Sequence, residues 1–176
     1  MDYKSIYERL HQTEHYGKTA EHGYGGEALI PEKVSIIDLG AGLTAYTKRL
    51  GEMKQLTRIV AVDISPLAVQ HQISMGVEAV CACATKLPFV NNEFDIGLSF
   101  GMFEHLTLED LDIAIIEFAR VCKTKLITHN GTGSSVWLNT ELHLIQEEPE
   151  WWVEKFNAVG ASHISGKFII TILDKS

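Results

Sequence analysis

From Val34 onward, short runs of β-branched residues alternate with stretches of helical character, and few folds accommodate that alternation. Strands separated by helices pair in parallel, and a parallel sheet needs helices over both of its faces, so the pattern predicts an α/β layer structure. Strands are expected at 34–38, 58–63, 78–83, 94–99 and 125–129. Between them, a helix from about Thr44 is expected to stop near Gly51, and Ser65-Pro66 opens another that Gly76 closes. A serine side chain caps free amides there, and proline at the first helical position gives up no needed hydrogen bond. Thr107 with Asp110 begins a long helix to about Cys122 in the manner of a capping box. Glu147-Glu148-Pro149-Glu150 puts negative charge at a last helix N-terminus, with Gly160 as its expected stop, and 161–173 reads as two strands around Ser165-Gly166. The polar stretch 130–148 is long for a connection in a compact domain, which predicts a functional lid or short structure of its own.

The segment Asp38-Leu39-Gly40-Ala41-Gly42-Leu43-Thr44 falls where the first strand turns into its helix, the place where open α/β sheets bind ligands. Glycines there let the backbone turn tightly and approach a ligand with no Cβ in the way. Asp63 ends the second strand beside them, placed to accept hydrogen bonds from a ribose diol. Gly40, Gly42 and Ala45 also satisfy a dinucleotide-binding fingerprint, so the glycines by themselves leave a nicotinamide cofactor open. Asp38 separates the two: a carboxylate two residues before the first glycine opposes a pyrophosphate and suits a ligand carrying a sulfonium and an ammonium.

Composition narrows the classes further. The 176 residues suffice for one sizeable core, which predicts a single domain with an N-terminal segment at 1–33 and an α/β core at 34–176. A net charge of −8 with scattered basic residues disfavours a nucleic-acid partner. No apolar run approaches the roughly 20 residues of a membrane span, and the start lacks the order of a signal peptide, so the cytoplasm is the expected location and no membrane partner is expected. Cys81, Cys83 and Cys122 have neither CxxC spacing nor a companion ligand set; they read as reduced core residues, and no metal site is expected.

Taken in order, the motifs resemble class I S-adenosylmethionine-dependent methyltransferases. Ile36 through Gly42 looks like the family's first motif and Val60-Ala61-Val62-Asp63-Ile64-Ser65 its second. Ala84-Thr85-Lys86-Leu87-Pro88-Phe89 with Asn91-Asn92-Glu93-Phe94-Asp95, then Phe103-Glu104-His105-Leu106 and Ala119-Arg120-Val121-Cys122-Lys123, are similar to segments that follow in the family. The resemblance covers about 34–130 and implies a Rossmann-like doubly wound, mostly parallel sheet with an antiparallel C-terminal strand. It implies S-adenosylmethionine as cofactor, with Asp38, Gly40, Ala41, Gly42 and Thr44 around the methionine and ribose portion, Asp63 at the ribose hydroxyls and Ile64 next to it also against the cofactor. Cys83 and Ala84 would lie at the adenine, and Ser99, Phe100 and Gly101 on the methionine side facing the acceptor. Thr44 replaces a common third glycine, and Cys83 stands where an aspartate often binds the adenine amino group.

Methyl transfer from a sulfonium is an in-line displacement governed by positioning, and a base is needed only where the acceptor must lose a proton. His105 after the fourth strand and His143 ahead of Trp151-Trp152 are the candidates, with Glu104 and His129 beside them. The two tryptophans are able to wall an apolar pocket, although tryptophan packs a core equally well. Tyr16 and Tyr24, in an aromatic and glycine-rich N-terminal stretch, are candidates for a lid over the sulfonium. A small-molecule acceptor is expected, since little of the chain lies beyond the core fold. A nicotinamide-dependent oxidoreductase and a non-catalytic binding partner on the same fold are the alternatives.

Overall fold

The computed structural model describes residues 2–13 and 26–175. Along the chain run α1 (Tyr3–His11), β1 (Ser35–Leu39), α2 (Tyr46–Met53), β2 (Arg58–Asp63), α3 (Pro66–Ser74), β3 (Glu78–Cys81) and β4 (Phe94–Phe100). A 3₁₀ turn, Phe103–His105, then leads to α4 (Leu108–Val121), β5 (Cys122–His129), the short β6 (Val136–Trp137) and β7 (Thr140–Glu141), α5 (Pro149–Phe156), β8 (Gly160–Ser165) and β9 (Phe168–Leu173); another, Glu27–Leu29, precedes β1.

Seven of these strands form one sheet in the order β3-β2-β1-β4-β5-β9-β8. The first five are mutually parallel, and β9 runs antiparallel to both β5 and β8. This is the Rossmann-like, mostly parallel sheet with an antiparallel C-terminal end that the alternation predicts. The chain winds outward from β1 to β3, then crosses to β4, so the switch of direction lies between β1 and β4 and opens a crevice at their C-terminal ends. Alternation along β1 divides the core: Ile37 and Leu39 pack on the α4 and α5 side with Phe118, Trp152 and Phe156, whereas Ile36 packs on the α2 side with Tyr46, Leu50 and Phe168.

The helix starts form as their sequences dictate. Ser65 Oγ accepts from the Ala68 amide at 3.4 Å, and Thr107 Oγ1 accepts from the Asp110 amide at 3.2 Å while donating to the Asp110 carboxylate at 2.9 Å. Gly76 and Gly166 take left-handed φ values of +85° and +61° at the expected turns.

Three expectations are corrected. The last helix stops at Phe156, and Gly160 instead opens β8, because a Cβ on it would lie 2.1 Å from the Ile172 carbonyl oxygen; glycine serves strand approach there, not a helix stop. The third strand ends at Cys81, and Cys83 sits past it in an isolated bridge to Lys86. Cys81 is exposed and only Cys122 is fully buried, so a common core role fails for the three free cysteines. The 130–148 stretch carries its own two-stranded ribbon, β6 with β7. None of the described helices is long and apolar enough to cross a membrane.

Gly97 at the centre of β4 sets how closely α4 lies on the sheet: a Cβ there would stand 2.5 Å from Phe118 Cζ and 2.8 Å from Cys122 Sγ. Gly97→Ala is therefore expected to destabilise the fold by about 1–3 kcal/mol through overpacking. Urea unfolding measures this, and a change below about 0.5 kcal/mol would mean that Phe118 repacks without strain.

Candidate active site

The crevice at the β1/β4 switch is a cleft of about 420 Å³, within the usual range for small-molecule sites. Its floor is the chain between β1 and α2. Gly40 and Gly42 adopt φ values of +80° and +58°, which L-residues with side chains rarely take. A Cβ on Gly40 would collide with the Met102 side chain at 2.5 Å, whereas the Cβ position of Gly42 meets open space. Asp63 holds this loop from the end of β2: its Oδ2 accepts from the Gly42 amide and its Oδ1 from the Ser65 amide, both at 2.9 Å. Gln72 fastens the loop from α3, donating to the carbonyls of Gly42 and Thr44 at 2.9 Å each.

Asp38 is buried at the end of β1, and Thr47 Oγ1 donates to its Oδ2 at 2.5 Å. Burial raises its pKa to about 6, partly opposed by the Thr47 hydrogen bond. Burial likewise raises the Asp63 pKa, against the amide hydrogen bonds and the nearby His11. The described lining includes a third carboxylate, Glu104, and neither lysine nor arginine.

The other wall joins the turn after β4 to the loop beyond β7. Glu104 is 2% exposed; its Oε1 accepts from the Gly131 amide at 2.7 Å, its Oε2 has no hydrogen-bond partner among the described residues, and burial raises its pKa to about 7. The Ile145 amide donates to the Glu104 carbonyl at 3.0 Å, and His105 Nδ1 meets the Leu142 carbonyl at 2.9 Å. The 142–145 segment is thus latched to the turn twice. Burial lowers the His105 pKa to about 4, so the ring is neutral at physiological pH. His143 Nδ1 contacts the Gly133 carbonyl, and the rings of His105 and His143 meet edge to face at 4.8 Å.

Of the residues expected from the sequence, Asp38, Gly40, Ala41, Gly42, Thr44, Asp63, Ile64, Cys83, Ala84, Phe100, Gly101, His105, His129 and His143 all line the cleft. Ser99 does not. It is fully buried, and its hydroxyl donates to the Leu39 carbonyl at 2.9 Å, tying β4 to β1 below the crevice. Cys83 reaches the cleft while its Sγ lies 3.1 Å from the Thr85 hydroxyl. Trp151 and Trp152 are not among the lining residues: Trp152 is buried in the core and Trp151 packs edge to face on it at 5.1 Å. Trp137 of the β6–β7 ribbon lines the cleft instead.

Tyr16 and Tyr24 lie outside the described residues. One face of α1 contributes Tyr3, Tyr7 and His11 to the cleft, which the sequence reading missed. The i, i+4, i+8 spacing of these aromatics was a legible signal. The Tyr3 hydroxyl docks the helix, donating to Asp110 Oδ2 at 2.8 Å and accepting from the Thr107 amide at 2.7 Å, and Tyr7 stands edge to face on His105 at 5.7 Å.

Comparison with known proteins gives the same picture. A family model described as a methyltransferase domain matches residues 37–125, just over half of the chain. No curated protein matches it. Among solved structures, an S-adenosylmethionine-dependent methyltransferase from Methanosarcina mazei superposes with a TM-score of 0.66 at 13% identity, covering 82% of this chain and 93% of that one. A chain of the complex between the Haloferax volcanii Trm112 methyltransferase activator and a methyltransferase gives 0.68 at 14% identity, over 82% and 84%. Burkholderia thailandensis 1,6-didemethyltoxoflavin-N1-methyltransferase, bound to 1,6-didemethyltoxoflavin and S-adenosylhomocysteine, gives 0.64 at 16%, over 85% and 76%. At these identities the likeness is one of fold, and the family rests on the sequence model: the chain belongs to the class I S-adenosylmethionine-dependent methyltransferases.

Proposed function

We propose that the chain works as a single methyltransferase domain that moves a methyl group from S-adenosylmethionine to a small-molecule acceptor. The observation that carries the choice of cofactor is the charge of the cleft: three carboxylates, Asp38, Asp63 and Glu104, with no lysine or arginine among the described lining residues. Such a cleft repels a pyrophosphate and attracts a cation, which weighs against a nicotinamide dinucleotide.

The residues fit the cofactor. Gly42 leaves open space where a side chain would stand, and Asp63 lines the same cleft with carboxylate oxygens suited to accept from ribose hydroxyls. Asp38, with the loop at Gly40, Ala41 and Thr44, would hold the cationic end, and Ile64, Cys83 and Ala84 would lie along the adenine. When bound, S-adenosylmethionine supplies an electrophilic methyl on a sulfonium. The protein's part is then to orient the acceptor and exclude water, for which Tyr7 and Trp137 provide apolar cover and His143 and Glu104 polar contacts. Burial makes the His105 ring a weak base, which leaves it a positioning role and makes the less buried His143 the candidate to orient or deprotonate the acceptor. A cleft of this size holds cofactor and a small acceptor, in keeping with the lack of a basic footprint for nucleic acid.

Calorimetry at neutral pH is expected to give one-to-one binding of S-adenosylmethionine and none of NAD. The affinity should fall as pH drops below about 6, because protonation of Asp38 removes a charge that binds the cation. Binding of NAD alone would overturn the reading. Affinity that stays constant from pH 7 to pH 5 would remove Asp38 from cofactor binding.

A further inference from the structure

We propose that Glu104, His105 and His143 bind a divalent transition-metal ion in the wall of the cleft. Each of the three offers a ligand atom, and these atoms lie within 4.8 Å of one another.

Their hydrogen bonds leave each group an atom able to coordinate. His105 Nδ1 meets the Leu142 carbonyl and His143 Nδ1 the Gly133 carbonyl. A carbonyl only accepts, so at these contacts Nδ1 carries the proton and in a neutral ring Nε2 is then the lone-pair nitrogen; the Gly101 backbone also acts on the His105 ring, and the ion would compete with it. Backbone carbonyls holding the far nitrogen of an imidazole are the usual outer support of a metal-binding histidine. Glu104 is held in the same way, one oxygen by the Gly131 amide, while Oε2 is buried with no partner among the described residues. A buried carboxylate oxygen without a donor is costly to leave so, and neither lysine nor arginine among the described lining residues answers it. A cation between the three side chains satisfies all of them at once.

The donor set selects the ion. Two imidazoles and one carboxylate suit zinc or ferrous iron, and are too poor in oxygen for calcium or magnesium. Bonds of about 2.0–2.2 Å bring tetrahedral ligands roughly 3.4 Å apart, so the set tightens by rotation of the side chains. Three protein ligands leave a coordination position open toward the cleft, where an oxygen or nitrogen of a small molecule can bind. His143 then acts on an acceptor through the ion and not as a free base.

The sequence held only part of this. Glu104 and His105 are neighbours, but His143 joins them through the latch between the 142–145 segment and the turn after β4.

The test uses Co²⁺ added alone to chelator-treated, untagged protein and reads the visible d–d absorption, which requires no methyltransferase activity. A saturable one-to-one band is expected, displaced by Zn²⁺, and weakened roughly tenfold or more in both Glu104→Gln and His143→Ala. Glutamine keeps an acceptor for the Gly131 amide, and the unchanged far-ultraviolet circular dichroism of the variants verifies folding. Absence of a saturable band in the wild type overturns the proposal. So does a band that survives in both folded variants, or one that instead vanishes in Cys81→Ser or Cys83→Ser, which would put the ion on the thiols. Binding of S-adenosylmethionine is read by calorimetry on the same preparations, so failure of the metal site and failure of the methyltransferase reading are seen separately.

Discussion

Replacing His143 by alanine is expected to lower methyl transfer by about 10²–10⁴-fold while S-adenosylmethionine affinity changes by no more than roughly twofold. The split follows from geometry. His143 sits on the loop beyond β7 beside Glu104 and His105, whereas the glycine loop, Asp38 and Asp63 come from the ends of β1 and β2. A group that touches only the acceptor, directly or through an ion, contributes to turnover and leaves cofactor binding alone. The measurement pairs calorimetry with transfer kinetics, using the acceptor recovered from a panel of small molecules. Wild-type kinetics would remove His143 from the site, and a general loss of folding would make it a structural anchor of the Gly133 loop.

The second large effect concerns Asp63, whose replacement by alanine is expected to weaken S-adenosylmethionine binding by about 1.5–3 kcal/mol, roughly 10–150-fold. Two contributions act in the same direction. Hydrogen bonds from the ribose to a charged acceptor are lost, and the Gly42 amide loses the carboxylate that holds the loop at 2.9 Å. Asp63→Asn keeps one acceptor oxygen and sheds the charge, so it should fall between wild type and alanine. Calorimetry on all three proteins checks the series. Unchanged affinity in a folded Asp63→Ala protein would put the ribose elsewhere.

Both predictions draw on residues whose chemistry was readable but whose company was not. Asp63 was legible because it ends a strand that pairs in register beside β1, so its distance from the glycine loop follows from local structure. His143 was only a candidate, since its place depends on how the 130–148 segment folds back. The tryptophans show the same limit. Trp151 and Trp152 are good pocket material by composition, yet α5 turns Trp152 into the core. Trp137, in a two-residue strand too short to carry a pattern, supplies the aromatic wall.

The sequence by itself determined the sheet, the caps of α3 and α4 and the glycine loop between β1 and α2, because each depends on contacts between residues close in the chain or on a period that repeats. Only the tertiary structure decided that α1 lies over the cleft, why Gly160 is glycine, and that Ser99 ties two strands together below the site. It also decided that Glu104, His105 and His143 meet. These are encounters between segments far apart in the chain, fixed by the shape of the packed whole, and no local propensity or spacing encodes them.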